Sequence, residues 1–488
     1  MNKISIILLS AGLILLGSCS SLPGDFTEKG ENPPVFPDIN GVTVPVNIAP
    51  LNFKLTQPSE KLVAVFKGKN SSLNIHGKGK IEIPVRKWHN LLENNSDDSL
   101  LVTIYAKQKS GWIKFLPFRI IIKKTPVDPY LVYRLIAPGY ESWSEMGIYQ
   151  RNITDFEEEP IIDNRLLPGN CMNCHSFNKN DPNQMLFHLR GNIGATILIK
   201  DGIATKLSTK TKETLSNCVY PYWHPSGKYI AFSVNSISQV FHSVPEKRIE
   251  VMDSKSDLVV YDIAANKLIT SKLISSEDNF ETFPTFSADG KTLIFCSAKK
   301  GTLPDDYNKI KYNLCKISFD ESSGTFGTRV DTLVSSYITG KSVSFPRPSG
   351  DGKFLMFTMS DYGNFSIWHK EADLYLLNLK DGTVKPVSAA NSDNTESYHS
   401  WSSGSHWFVF SSRRIDGLYT RPYISWLNEN GDASKPFLLP QKDPDFYDDC
   451  LRSFNIPEFV TGKVKSNGRN LLKTIGSPPK NVTFELKD

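Results

Sequence analysis

Two thiols and an imidazole fall within five consecutive residues of this chain, Cys171-Met172-Asn173-Cys174-His175. In an exported protein C-x-x-C-H is the attachment pattern of c-type haem: the thiols add to the vinyl groups and the adjacent imidazole becomes an axial iron ligand. His175 is then the proximal ligand. His188 and Met185 are the candidates for the opposite face, unless that position stays open. The same donors support a second chemistry, because Cys171, Cys174, His175 and His188 could hold a tetrahedral zinc ion. A third reading is a Cys171–Cys174 disulfide, or bare thiols, with His175 serving only as packing.

The compartment is the condition for haem attachment, and the N-terminus speaks to it. Met1 to Ser18 read as a secretory signal, with Lys3 at the positive end and an apolar run from Ile4 to Leu16 too short to span a bilayer. Leu16-Gly17-Ser18-Cys19 resembles the bacterial lipoprotein cleavage box. The resemblance implies that Cys19 becomes the first residue and is acylated, leaving the membrane attached through lipid alone. No acidic run follows Cys19, and by the same resemblance the protein is expected on the outer membrane, facing the periplasm. Residues 19–37, with their Gly, Pro and acidic residues, read as a tether.

The chain has 488 residues and a formal net charge of +5. That charge is too weak and too dispersed for a nucleic-acid partner. Length allows two or three domains, and 11% aromatic content with frequent Gly, Pro and Ser points to β structure. No capped helical periodicity stands out beyond the leader. Cys218, Cys296, Cys315 and Cys450 remain outside the motif; Cys296 and Cys315, within one repeat, could pair, and free buried thiols are the equal alternative.

The elements that must position the motif are repeats. Tyr220–Phe232, Phe283–Phe295, Phe345–Phe357 and Tyr398–Phe410 align without gaps and recur every 53 to 63 residues. Each opens on an aromatic, turns at Ser-Gly, Asp-Gly or Gly-Ser, and closes on an apolar strand. A second hairpin follows in each, for example at Asp257–Thr270 and Asp373–Val387, so each unit holds four strands. Ala195–Leu207 copies that second hairpin in an earlier unit. Tyr130–Ile136 and Met146–Ile162 supply strands for another, and the tail from Asp443 to Phe459 helps to close a ring.

These repeats resemble TolB-type, WD-repeat-like β-propellers, over roughly residues 130 to 460. Exported members of that group resemble this chain again in the string Pro-x-x-C-x-x-C-H-Ser-Phe, matched by Pro168–Phe177. The expectation is an all-β protein: a β-sandwich over 38–125, a TolB-like propeller of six blades over 126–460, and a C-terminal extension over 461–488. Aligning Phe187 with the closing Phe of each repeat puts His175 on the Tyr220 position. It also puts Met185 at an apolar core position, and His188 where the other repeats hold small residues.

There is no G-x-S-x-G elbow, H-E-x-x-H, P-loop or dinucleotide fingerprint, so the chain is read as a non-enzyme. The acidic groups Glu157–Glu159, Asp305–Asp306 and Asp443–Asp449 lack calcium-loop spacing and read as solvated charge. The leading functional expectation is one covalent haem c in a propeller, exchanging electrons with or sensing a redox partner. The alternative is a propeller scaffold that binds a protein or envelope component, its Cys pair structural.

Overall fold

The computed structural model describes residues 22–137, 145–244, 247–465 and 468–487. The leader and Cys19 lie outside the described residues. No helix among those described is long and apolar enough to cross a membrane.

The N-terminal part is a seven-stranded sheet centred on Ser99–Gln108, with Lys61–Lys67 and Phe118–Lys123 as its antiparallel neighbours. A three-stranded sheet (Val35–Phe36, Phe53–Leu55, Lys80–Ile81) and a helix, Val85–Asn94, accompany it. The helix departs from the sequence expectation. Its start after Pro84 and its buried Trp88, Leu91 and Leu92, at helical spacing, are the local signals for it. Its Trp88 ring meets Phe66 edge to face at 5.7 Å. This core runs on without a break into Phe354, Trp407 and Phe454 of the later sheets.

The rest is β-propeller-like. Six sheets follow one another, antiparallel apart from two added edges. Their innermost strands are β1 (Asn170–Phe177), β2 (Cys218–Trp223), β3 (Asn279–Phe286), β4 (Ser342–Pro348), β5 (Glu396–Trp401) and β6 (Ser453–Val460). Each packs against the next, and β6 packs back against β1, so the six form a closed cycle. β6 comes from the end of the chain yet pairs antiparallel with Tyr130–Ile136, joining the last sheet segment to the first. The C-terminal extension then adds Lys480–Asn481 and Thr483–Leu486, parallel, to the outer edges Ile203–Ser208 and Lys267–Thr270. A nine-residue helix, Gly468–Gly476, also unforeseen, buries Leu471 and Ile475 on the way.

One backbone feature repeats in every sheet. Cys174, Tyr220, Phe283, Phe345, Tyr398 and Ile456 all have φ between +49° and +52°. Each sits where the register of its inner strand slips against its neighbour. Non-glycine residues rarely adopt this conformation, and for Ile456 it is an outlier. Repetition around the cycle makes it a property of the fold: the bulge turns one side chain per strand out of the ladder.

The bulges correct the sequence alignment. Cys174, not His175, is the counterpart of Tyr220, Phe283, Phe345 and Tyr398. The turn after β1 is one residue longer than its counterparts, because Phe177 pairs with Met185 whereas Trp223 pairs with Ile230 and Phe286 with Leu293. Met185 and His188 keep the register expected of them. His175 moves to the next position, held by Pro221, Pro284, Pro346, His399 and Pro457 in the other strands.

Candidate functional site

The bulged residues meet on the axis of the cycle. Tyr220 lies 4.4 Å from Phe283, Phe283 lies 4.1 Å from Phe345, and Phe345 lies 4.9 Å from Tyr398, ring centre to ring centre. Cys174 and Ile456 are the two non-aromatic members of this layer. Cys174 and Ile456 line the same cavity as Tyr220, Phe345 and Tyr398.

On one side of the layer lies a cavity of about 310 Å³. Its wall is the second half of the inner strands: His175, Ser176 and Phe177 from β1, Tyr222 and Trp223 from β2, Arg347 from β4, His399 and Trp401 from β5, and Glu458 from β6. Its rim is the turns that follow, including Asn178–Asn180, Ser287–Ala288, Ser349–Gly350 and Ser402–Ser403. A concave, largely aromatic pocket with a few polar groups is the form small-molecule sites take.

His175 is only 3% exposed, and neither ring nitrogen meets a hydrogen-bond partner. Burial, with the Arg134 charge adding to it, lowers its pKa to about 3, so the ring is neutral at physiological pH. The backbone of Val132 and Ile456 opposes that shift without completing a hydrogen bond. His399, at the same position of β5, is tied down by contrast: its Nε2 lies 3.0 Å from the Met356 carbonyl.

Arg347 donates from Nη1 to the Pro346 carbonyl at 2.8 Å and lies 5.2 Å from the Tyr222 ring centre. Among the described residues no carboxylate lies within ion-pair distance of it. Burial lowers its pKa, against the pull of Tyr222 and Glu458. Glu458 accepts a hydrogen bond from the Phe177 N–H at 3.1 Å. Burial pushes its pKa up to about 7, with that hydrogen bond and Arg347 opposing. The Trp401 indole is spent on the Arg347 carbonyl at 2.9 Å.

The motif itself is divided. Cys174 and His175 line the cavity; Cys171 does not. Cys171 and Cys174 lie three residues apart on an extended strand, a separation of about 10 Å at the usual rise. A disulfide needs Cα atoms within roughly 7 Å. All six cysteines among the described residues are buried and unpaired. Cys296 and Cys315 cannot join either, because Cys315 stands opposite Phe295 and so points to the other sheet face from Cys296. Burial also raises the Cys171 pKa, partly offset by Arg134 and Arg190, which suits an inert thiol.

His188 stands opposite Asn173, its Nδ1 2.8 Å from Thr196 Oγ1 and its ring 5.8 Å from that of Phe232. It does not line the cavity, and Met185 is wholly buried among Met172, Phe187 and Ile197. Among the described residues no three His, Cys, Asp or Glu side chains converge as a metal site would need. The tetrahedral set Cys171, Cys174, His175 and His188 is therefore not assembled. A haem bonded through both thiols fits this strand at Cys174 and His175 and not at Cys171.

Sequence reasoning missed Arg347, Tyr222 and Glu458. They share one repeat position, two residues after the bulged residue, with Ser176, Thr285 and Ser400. The signal was the variability of that position, readable only once the register is known.

No protein-family profile and no curated protein matches the chain. Solved structures that it resembles include a puromycin-hydrolysing peptidase of Mycobacterium tuberculosis, at 12% identity and TM-score 0.39, covering 82% of this chain and 57% of that one. Prolyl oligopeptidase B from Galerina marginata follows at 10% and 0.36, covering 69% and 41%. The tricorn protease gives 12% and 0.34, covering 79% and 36%. The chain spans 36 to 57% of the length of these three.

Proposed function

We propose that this chain is a non-enzymatic, six-bladed TolB-like propeller, held to the outer membrane as a periplasm-facing lipoprotein, that binds an envelope component in the cavity at one mouth of its ring. The observation carrying this reading is the cavity wall. Tyr222, Arg347 and Glu458 come from three different repeats at one equivalent position, and His175, one position earlier on its own strand, is buried with neither ring nitrogen hydrogen-bonded. An unpaired buried polar group costs roughly 1–3 kcal/mol, and a binding partner that satisfies it accounts for that cost. The Cys pair is structural in this reading, as two packed thiols.

The test is capture from the protein's own envelope fraction, comparing wild type with Tyr222→Ala and Trp401→Ala. Loss of the captured component in both folded variants supports the pocket. Equal capture by all three refutes it.

The free His175 imidazole beside Cys174 also favours a second reading, a single covalent haem c used in electron transfer or redox sensing. Haem, when bound, supplies reversible one-electron exchange at iron. His175 would be its proximal ligand and Cys174 one attachment point; Cys171 would have to leave its strand to serve as the other. A haem stain that survives denaturation, with a reduced-minus-oxidised spectrum on membrane-derived protein, separates the two readings. Stain lost in Cys171→Ala establishes haem, and colourless protein removes it.

A further inference from the structure

The cavity's charges narrow what it can hold. Arg347 brings a guanidinium to the wall with one hydrogen bond spent on its own Pro346 carbonyl and no carboxylate within ion-pair distance among the described residues. A half-buried cation in that condition has donors left for a ligand and no direct ion pair, and the planar fork of a guanidinium matches a carboxylate best. Lys179 at the rim adds a second positive charge. A cationic ligand would be repelled by both.

The rest of the wall selects the ligand's body. Tyr222, Phe177 and Trp401 are flat apolar surfaces, and the Trp401 indole N–H is already satisfied. Glu458 limits the charge. It faces Arg347, Tyr222 and the Phe177 N–H, and near neutral pH it is partly protonated. As a carboxyl it can donate to one carboxylate, whereas a dianion would meet it with repulsion.

Resting on the binding-module reading above, we propose that the cavity takes a ligand with a single carboxylate on an apolar or aromatic body, the carboxylate against Arg347 and the body against Tyr222, Phe177 and Trp401. His175, with one nitrogen able to donate and the other to accept, reads a polar group on that body. Such a carboxylate comes either from a free small acid or from the C-terminus of a peptide.

The test uses the full mature chain and two matched pairs of probes: N-acetylphenylalanine and its amide, and N-acetyl-Ala-Ala-Phe and its amide. Binding is followed by calorimetry and by quenching of cavity tryptophan fluorescence. The expected result is that the acids bind at least tenfold more tightly than the amides. Arg347→Gln removes that preference and Arg347→Lys keeps part of it. A tighter tripeptide acid identifies a peptide terminus as the source; equal affinities identify a small acid. Acids and amides binding alike, or no acid binding, overturns the proposal on the wild-type protein, whatever the variants do. An envelope component still captured through Trp401 when no acid binds leaves the binding-module reading standing and removes only the carboxylate.

Discussion

Phe283 offers a test of the axial layer in which the usual order of two substitutions should invert. Its side chain is 1% exposed, its ring lies 4.4 Å from Tyr220 and 4.1 Å from Phe345, and its φ is +50°. Truncation to Ala should cost about 3–5 kcal/mol, as large-to-small changes in packed cores do. Ala keeps a Cβ, so it keeps the left-handed strain of roughly 1–2 kcal/mol. Gly sheds that strain but loses about 0.4–1 kcal/mol through greater freedom of the unfolded chain. Phe283→Gly should therefore be more stable than Phe283→Ala by about 0.5–1 kcal/mol. At Ile294, buried in the adjacent strand with no positive φ, Gly should be worse than Ala by roughly 0.5–1 kcal/mol. Midpoints of denaturant unfolding for the four variants measure both differences. Ala above Gly at both positions would refute the claim that the fold forces this conformation on the axis.

The remaining expectations concern titration, thiols and the edges of the sheets. Glu458 is raised from 4.5 to about 7. Below pH 4.5 both folded and unfolded forms are protonated and nothing is lost; between 4.5 and 7 the unfolded chain releases the proton first, so stability falls by an amount on the order of 3 kcal/mol. Glu458→Gln should flatten that part of the stability–pH curve and be neutral at pH 4. His369 behaves oppositely. Burial alone would lower its pKa, but Glu250 and Glu371 outweigh burial and bring it to about 9. Its contribution is full below pH 6.5 and lost as pH rises through 9, so the gap between wild type and His369→Gln, read from melting temperatures, should close above that pH. In unfolding conditions without reductant, Cys171, Cys174, Cys218, Cys296, Cys315 and Cys450 should all react with a thiol reagent; reaction of only four of them would reveal a disulfide. Removing residues 468–487 should bare the outer edges Ile203–Ser208 and Lys267–Thr270 and promote self-association, measured by light scattering.

The repeats were legible because turn chemistry and strand alternation are local. Ser-Gly and Asp-Gly announce hairpins, and the apolar strands that follow them close on Phe at a constant distance. Met185 and His188 were correctly registered for that reason, since they lie on the strand after the turn. His175 was not, because the turn between it and that strand holds one extra residue, and pattern alone cannot say on which side an insertion falls. The helices Val85–Asn94 and Gly468–Gly476 escaped notice because each is short and depends on tertiary contacts, Val85–Asn94 through Trp88 against Phe66, rather than on strong caps. The long hairpin of Tyr229–Val244 and Lys247–Asp262 was half seen. Its outer part carries Glu250 to Tyr362 and His369 across more than a hundred residues of sequence, a contact no local pattern encodes.

That single-residue shift matters more for chemistry than for architecture. With His175 on the bulged position, its imidazole would point along the axis among aromatic rings, and Cys174 would sit in the ladder with Cys171. With Cys174 on the bulge, the thiol joins the axial layer while Cys171 stays three residues away, outside the cavity. His175 then takes a position that four other strands fill with proline. Proline has no N–H to offer the ladder, and an inner strand has a free edge facing the axis, so proline costs little there. Replacing it with histidine gains the backbone nothing, and at His399 the gain is visible elsewhere, in the bond to Met356. At His175 no such bond exists. Under the proposed binding function, a ligand entering the cavity would give this buried neutral imidazole, at a position the fold would accept as proline, the partner it lacks.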